Sequence, residues 1–464
     1  MPNMPKSSSR SPRNFFTDLV RSATSIVRPA STPPASAFSR SHAPLPTGSN
    51  AHPPTTLDPS LDLRRIAFHE EPYTLSPLEG PYGYFPMRLG QKLRRGTCEI
   101  VRKLGYGTNS SVWLAKETTP DGHRYIVLKI MSVYATEVEI RRLCYEGAVA
   151  HDMTALGKPD QAHPGYRHCA IIGRTFFEHS AHGEHLCSLL FPYGTSLDDL
   201  LETSPTGRLP LSAVKTITRQ VLLGLSFLED KFQRVHTDVK SANILHHPRA
   251  STEQIDRFLA DNPPQMYEDT PPVNPRISPE PIPALRSQPL PNFGLDPSYA
   301  NISIKLIDYD SAIRAKDIRA DTPICTPTEL RAPEMLLGHA WSYPVEVWAV
   351  GCLIFYLLTH ETVFPTDTED LLPFIYDYLG PFPEDFVRRC TKGRKCIDRN
   401  GIPLGAKGKD GGQGSLESRF ATLCDGLSAQ DIGDTCRFLR KCLAIDPLAR
   451  PTVSQLLQDA WLKI

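Results

Sequence analysis

With 464 residues and 51 Lys+Arg balanced by 51 Asp+Glu, the chain is long enough for a two-lobed domain with tails. It carries neither the basic excess of a nucleic-acid binder nor the excess of acid that marks a solvating tail. A hydrophobic share of 40% excludes a wholly disordered chain, and the longest apolar stretch, Val347 to Leu358, is short of the roughly 20 residues needed to span a bilayer. Eleven cysteines, an odd number without a CxxC pair, read as reduced thiols rather than as a disulfide framework or a zinc site.

Residues 1–60 hold 12 Ser, 11 Pro and only two acids. Such a segment buries too little to offset chain entropy, so residues 1–62 are expected to form a disordered tail. Within it Phe15, Phe16, Leu19, Val20, Ala23, Ile26 and Val27 share a helical face beside Arg13, Arg21 and Arg28. The favoured reading is a transient helix on a cytoplasmic or nuclear protein. Mitochondrial import through residues 10–28 is the alternative, against which the opening Met1-Pro-Asn-Met-Pro counts.

From residue 91 the pattern becomes regular. Cys98–Leu104 and Ser111–Ala115 read as strands around a Gly-containing turn, Tyr125–Ile130 as a further strand, Glu137–Ala150 as a helix and Leu186–Leu190 as a buried strand. Helical periodicity then dominates, as at Val214–Leu228 and Val345–Leu358. Strands first and helices later predict an α+β fold of two lobes. Residues 248–300, with 12 prolines, interrupt the second. There Ser251-Thr252-Glu253-Gln254 fits a capping box, and Ile255, Phe258 and Leu259 follow at the spacing of a helix that docks. The rest reads as coil. Because loop-closure entropy grows slowly with length, residues 260–298 are expected to be replaceable by a short linker.

The chemistry-bearing residues come in order. Gly105-Tyr106-Gly107-Thr108-Asn109-Ser110-Ser111-Val112 lies between two strands, where glycines let backbone N–H groups approach phosphate oxygens. Lys129 sits on an apolar strand, which makes sense if its ammonium pairs phosphates and a carboxylate. Glu139 on the following helix is the first choice of carboxylate, with Glu137 and Glu146 as alternatives. His236-Thr237-Asp238-Val239-Lys240-Ser241-Ala242-Asn243 supplies a carboxylate, then a cation two residues on and an amide five residues on. Asp308 ends the apolar strand Ile304–Ile307, placed to hold a divalent metal. It lies 70 residues after Asp238, 53 of them in the Pro-rich insert, and Ala332-Pro333-Glu334 follows.

In that order the set resembles the eukaryotic protein kinase signature. Gly-x-Gly-x-x-Ser-x-Val-Trp, His-Thr-Asp for His-Arg-Asp, the Pro-rich insert and the run from Pro81 to Gly90 resemble SR-protein kinases and their divergent fungal relatives. The resemblance implies a bilobal kinase fold with an extension at 63–90, an N-lobe at 91–193 and a C-lobe at 194–464 broken by 248–300. It implies ATP held by Leu104, Gly105, Gly107, Ser110, Val112, Lys129, Glu139, Leu190 and Tyr193. Asp238 becomes the catalytic base, supported by Lys240 and Lys129. Asn243 and Asp308 become ligands of Mg²⁺, Phe191–Tyr193 the hinge, and Glu334–Arg450 a structural ion pair.

Three departures stand out. Asp308-Tyr309-Asp310 replaces Asp-Phe-Gly, Glu346 replaces an Asp in the long C-lobe helix, and Lys129 precedes Glu139 by only ten residues. The implied activity is a monomeric Ser/Thr protein kinase acting on proteins, with Arg/Ser-rich segments as the family expectation, no direct nucleic-acid partner and no membrane span. A pseudokinase or nucleotide-binding scaffold is the alternative that Asp310 and Glu346 raise. The acids Asp367, Glu369 and Asp370 could attract basic peptides, though a solvated loop is the commoner reading of such a cluster. Thr237, in place of Arg, implies an activation segment, Asp310–Glu334, that needs no phosphate. Thr322, Thr326 and Thr328 are then expected at the surface, with peptide positioning as the alternative for Thr326 and Thr328.

Overall fold

The computed structural model describes residues 83–141, 145–267, 284–319, 322–365, 371–404, 415–424 and 426–463. The expected tail, its amphipathic stretch and the acids at 367–370 lie outside these. The N-lobe is built on a six-stranded antiparallel sheet ordered β1-β2-β3-β4-β6-β5. Its strands are β1 (Lys92–Leu93), β2 (Cys98–Tyr106), β3 (Ser110–Thr119), β4 (Gly122–Met131), β5 (Thr175–Ser180) and β6 (Gly183–Leu190). Alternation sorts the side chains. Trp113, Ala115, Ile126, Leu128 and Ile130 bury on one face, and Leu114, Tyr125 and Val127 on the other, which is therefore also the face of Lys129. The last eight residues of the expected extension belong to this lobe, since Phe85 and Met87 pack into the first face.

The helix expected at Glu137–Ala150 is two helices, α1 (Val133–Ile140) and α2 (Glu146–Thr154). At Tyr145 the main chain leaves helical geometry and its N–H bonds the Asp310 carbonyl at 3.0 Å instead. The C-lobe is built on α3 (Leu197–Thr203), α4 (Leu211–Phe232) and, beyond the insert, α6 (Pro344–Thr359). Helix α4 buries Val214, Ile217, Val221, Leu222, Leu225 and Leu228, a stripe at helical spacing. Helix α6 is apolar all round and central, with Trp348 stacked on Phe364. The expected Glu334–Arg450 pair forms and is bidentate and buried, at 2.6 and 2.8 Å.

Between the short strands β8 (Ile244–His246) and β9 (Ile304–Leu306) the insert leaves the C-lobe and packs on the N-lobe. Its helix α5 (Thr252–Asp261) has the expected capping box on Ser251 and Gln254. Ile255 is buried against Leu114, Tyr125 and Val127, with Phe258 and Leu259 beside it, and the Tyr125 hydroxyl donates to Asp256 at 2.6 Å. Residues 284–292, at the described far end of the expected replaceable coil, make core contacts that a short linker would lose. Leu285 enters the N-lobe core with Phe85 and Met87, Leu290 is buried beside Leu114, and the Gln288 N–H bonds the Lys103 carbonyl at 2.9 Å. Asn292 bonds both the main chain and the hydroxyl of Thr195 at 3.0 and 2.7 Å. Proline limits the freedom of the unfolded segment, so an extended Pro-rich strap can place a few apolar anchors at modest entropic cost.

Candidate active site

On the C-lobe side the site is one loop after β7 (Arg234–Val235). Thr237 takes a left-handed backbone, φ 70°, which is unfavourable for a β-branched residue and needs support. Three contacts supply it. The Thr237 N–H donates to Glu346 on α6 at 2.8 Å, its hydroxyl donates to the Ser311 carbonyl at 3.1 Å, and its carbonyl accepts from the Thr326 hydroxyl at 2.6 Å. Glu346 thus anchors the loop, and burial pushes its carboxyl up to about 7. Thr326 is buried in this contact rather than displayed, which corrects its expected surface role.

His236 is buried and donates through Nε2 to the Ile307 carbonyl at 3.0 Å, while Nδ1 accepts the Asp238 N–H at 3.3 Å. Burial lowers its pKa, which favours this neutral form. Asp238 Oδ2 accepts from Lys240 Nζ and from Asn243 Nδ2, both at 2.8 Å. Asp238 Oδ1 is buried without a hydrogen-bond partner among the described residues. Burial would lower the Lys240 pKa, but the Asp238 carboxylate overcomes it and raises it. Asn243 spends its amide N–H groups on Asp238, the second going to its carbonyl at 2.9 Å, so the Asn243 Oδ1 is the atom left for a metal.

On the N-lobe side Lys129 projects from β4 into a cluster of acids. Its Nζ pairs with Glu146, with Asp308 at 3.1 Å and with Asp310 at 2.9 Å. Burial works against its charge, yet Asp308, Asp310 and Glu146 raise its pKa well above the usual value. Glu146, in the first turn of α2, is therefore the helix carboxylate. The first-choice Glu139 is not the partner: its Oε1 accepts the Gly147 N–H at 2.9 Å, capping the start of α2. A side chain at Gly147 would collide with it, since an added Cβ falls 2.6 Å from Oε1. Asp310, in the place of a flexible glycine, is drawn into the same cluster, and burial pushes its carboxyl up to about 7. Tyr309 is buried and donates to the carbonyls of Leu306 and Ala170 at 2.8 and 3.1 Å.

The expected nucleotide residues frame this cleft from above. Leu104 and Gly105 end β2, Gly107 is in the turn, and Ser110 and Val112 begin β3. Val112 pairs with Lys129, and Leu190 on β6 pairs with Val127. Leu104, Val112 and Leu190 gather half-buried around the cluster containing Val127. Tyr193 is different: its ring is buried in the C-lobe core against His247, so only its main chain is available to a ligand. Oxygen donors at Asp308 and Asn243 suit a hard cation such as Mg²⁺. The spacing reading gave no role to Asp152, in the last turn of α2. It bonds Arg234 at 2.9 and 3.1 Å and Arg314 at 3.0 Å, tying that helix to the catalytic-loop lead-in and to the start of the activation segment.

Comparison with known proteins finds protein kinases. The protein kinase domain family matches residues 292–462. The serine/threonine-protein kinase SRPK of Physarum polycephalum is 26% identical over 336 residues, 69% of this chain and 75% of that protein. A serine/threonine protein kinase of Aspergillus fumigatus is 27% identical over 390 residues, 82% of this chain and 87% of that protein. The serine/threonine-protein kinase AFC3 of Arabidopsis thaliana is 28% identical over 375 residues, covering 79% and 82%.

Proposed function

We propose that this chain, which is an SR-protein-kinase-like eukaryotic protein kinase, transfers the γ-phosphate of ATP to serine and threonine hydroxyls in Arg/Ser-rich protein segments. The observation that carries the catalytic part is the Asp238 carboxylate. Oδ2 is fixed by Lys240 and Asn243, and Oδ1 is buried without a partner among the described residues. A buried acceptor that is otherwise unsatisfied is suited to a substrate hydroxyl.

In this reading the hydroxyl donates to Asp238 Oδ1, which orients its oxygen toward the phosphate and accepts its proton. Lys240 stays cationic beside Asp238 and offsets the charge that grows on the transferring group. Lys129 is held by Glu146 so that its ammonium reaches the nucleotide phosphates. Leu104, Val112, Val127 and Leu190 cover the base. Asp308 and Asn243 Oδ1 would hold Mg²⁺, which when bound supplies positive charge at the phosphate oxygens. Glu346 keeps Thr237 in its left-handed turn, so this substitution preserves the loop rather than disabling it.

For the substrate, Glu329 lies close enough to Lys240 to help raise its pKa, which puts an acidic group near Asp238, where an arginine beside the acceptor would meet it. A degenerate peptide library is the test. Transfer to Ser and Thr, with enrichment of Arg beside the acceptor, is the expected result. ATP binding without transfer to any peptide would mark a scaffold instead.

A further inference from the structure

Tyr84 lies outside every nucleotide-binding motif, yet its hydroxyl sits on the glycine-rich turn. The ring is buried in the lobe, and the hydroxyl donates a shared bond to the carbonyls of Gly107 and Thr108, each at 2.8 Å. The turn is held from a second side as well, because the N–H of Ser132, the N-cap of α1, bonds the Asn109 carbonyl at 2.8 Å. The segment that carries Tyr84 is itself fastened. The Val133 N–H bonds the Gly83 carbonyl at 3.1 Å, His182 Nδ1 donates to the Tyr84 carbonyl at 2.6 Å, and Phe85 meets the His185 ring edge-on at 5.0 Å.

Peptide planarity gives this contact a consequence. In a trans peptide the C=O of one residue and the N–H of the next point in opposite directions. Drawing the Gly107 and Thr108 carbonyls onto one hydroxyl therefore turns the N–H groups of Thr108 and Asn109 away from Tyr84. Successive amides facing one way make an anion cradle. The two glycines make the turn pliable enough to adopt this geometry and also to lose it.

We propose that Tyr84 is a positioning residue for phosphate transfer, its hydroxyl presetting the turn so that the amides of Thr108 and Asn109 face the β- and γ-phosphates. The proposal rests on the kinase reading above. Its ligand chemistry is specifically a polyphosphate, since the base and ribose lie elsewhere in the cleft.

Full-length protein and its Tyr84→Phe variant, which keeps the ring and loses only the hydroxyl, decide the matter. Affinities for Mg-ATP and for adenosine are measured by calorimetry, with the ATP KM from a peptide assay. The expected result is a loss of about three- to tenfold in ATP affinity, a matching rise in KM, and adenosine affinity unchanged within about twofold. Equal ATP affinity in both proteins would overturn the role of Tyr84 and leave the kinase reading standing. So would a parallel loss for ATP and adenosine, which is what general loosening of the lobe produces. Because the ratio of the two affinities is the readout, it decides even if the variant melts earlier. Wild-type protein that binds no ATP would bring down the kinase reading and this proposal together.

Discussion

Asp238 and Lys129 face one cleft, but the two regions that hold them are built on opposite plans. The side-chain contacts on the Asp238 carboxylate come from residues two and five positions further along the chain. Lys129 is held by carboxylates 17, 179 and 181 residues away. The side-chain contacts on the Asp238 carboxylate are thus local, while the Thr237 turn before it leans on Glu346, Ser311 and Thr326. The lysine corner exists only when β4, α2 and the segment after β9 arrive together, so it depends on long-range packing. The largest expected effects remove the two anchors themselves. Asp238→Ala and Lys129→Met should each lower phosphate transfer by about a thousandfold or more, with unchanged circular dichroism. Wild-type turnover in both would show that neither region is catalytic.

The contrast sharpens at the helix carboxylates. Glu146→Gln removes the charge that holds Lys129 and should lower kcat/KM by roughly ten- to a hundredfold. Glu139→Gln keeps an oxygen to accept the Gly147 N–H, and should stay within about threefold of wild type because capping needs an acceptor rather than a charge. Steady-state kinetics on both variants check this. The reverse order would restore Glu139 as the partner.

These two plans also explain what could be read from sequence. Asp238, Lys240 and Asn243 were legible because their spacing is their geometry. Strands β2, β3, β4 and β6 were legible from alternating or buried runs, with ends off by a few residues. Strand β5 was not, because at the sheet edge Thr175, Glu178 and Ser180 make it look like a polar loop. The choice between Glu139 and Glu146 turned on the helix ending at Ile140 and a new one starting at Glu146, where the Tyr145 N–H makes a long-range bond to Asp310. No periodicity reports such a bond. The anchors of the insert were hidden for the same reason, since Leu285 and Leu290 stand among prolines and carry no periodic signal.

The insert therefore tests whether a segment of loop-like composition can be core. Leu285→Ala should destabilise the protein by about 2–5 kcal/mol, the range for a buried leucine, and replacement of residues 260–298 by a short linker by at least as much. Chemical denaturation measures both. A linker variant with wild-type stability would return the insert to the status of a dispensable loop.

A subtler difference lies in the anchor of the catalytic loop. The Glu346 carboxyl is raised from 4.5 to about 7 by burial, so between those values the folded protein binds a proton that the unfolded chain has released. Stability from this group therefore falls as pH rises from about 4.5 to 7 and levels off above. The size is on the order of 3 kcal/mol. Glu346→Gln, which cannot ionise but still accepts the Thr237 N–H, should flatten that part of the stability profile. An unchanged slope in denaturation midpoints across this range would show that Glu346 is ionised throughout.

The smallest expected effect is none at all. In many kinases an arginine before the catalytic aspartate needs a phosphate on the activation segment to neutralise it. Here that position is Thr237, whose polar groups are taken up by Glu346, Ser311 and Thr326. The task of joining α2 to the activation segment falls to Asp152, which is already bonded to Arg234 and Arg314. The buried hydroxyl of Thr326 is not open to modification without breaking its bond to the Thr237 carbonyl. We therefore expect bacterially produced protein, stripped with phosphatase, to keep its activity within about twofold. Asp152→Asn should make the enzyme less active whether or not it is phosphorylated, because the lock is intrinsic. A drop of about tenfold or more on phosphatase treatment, restored by phosphorylation of Thr322 or Thr328, would mean that the lysine corner is assembled by modification rather than by Asp152.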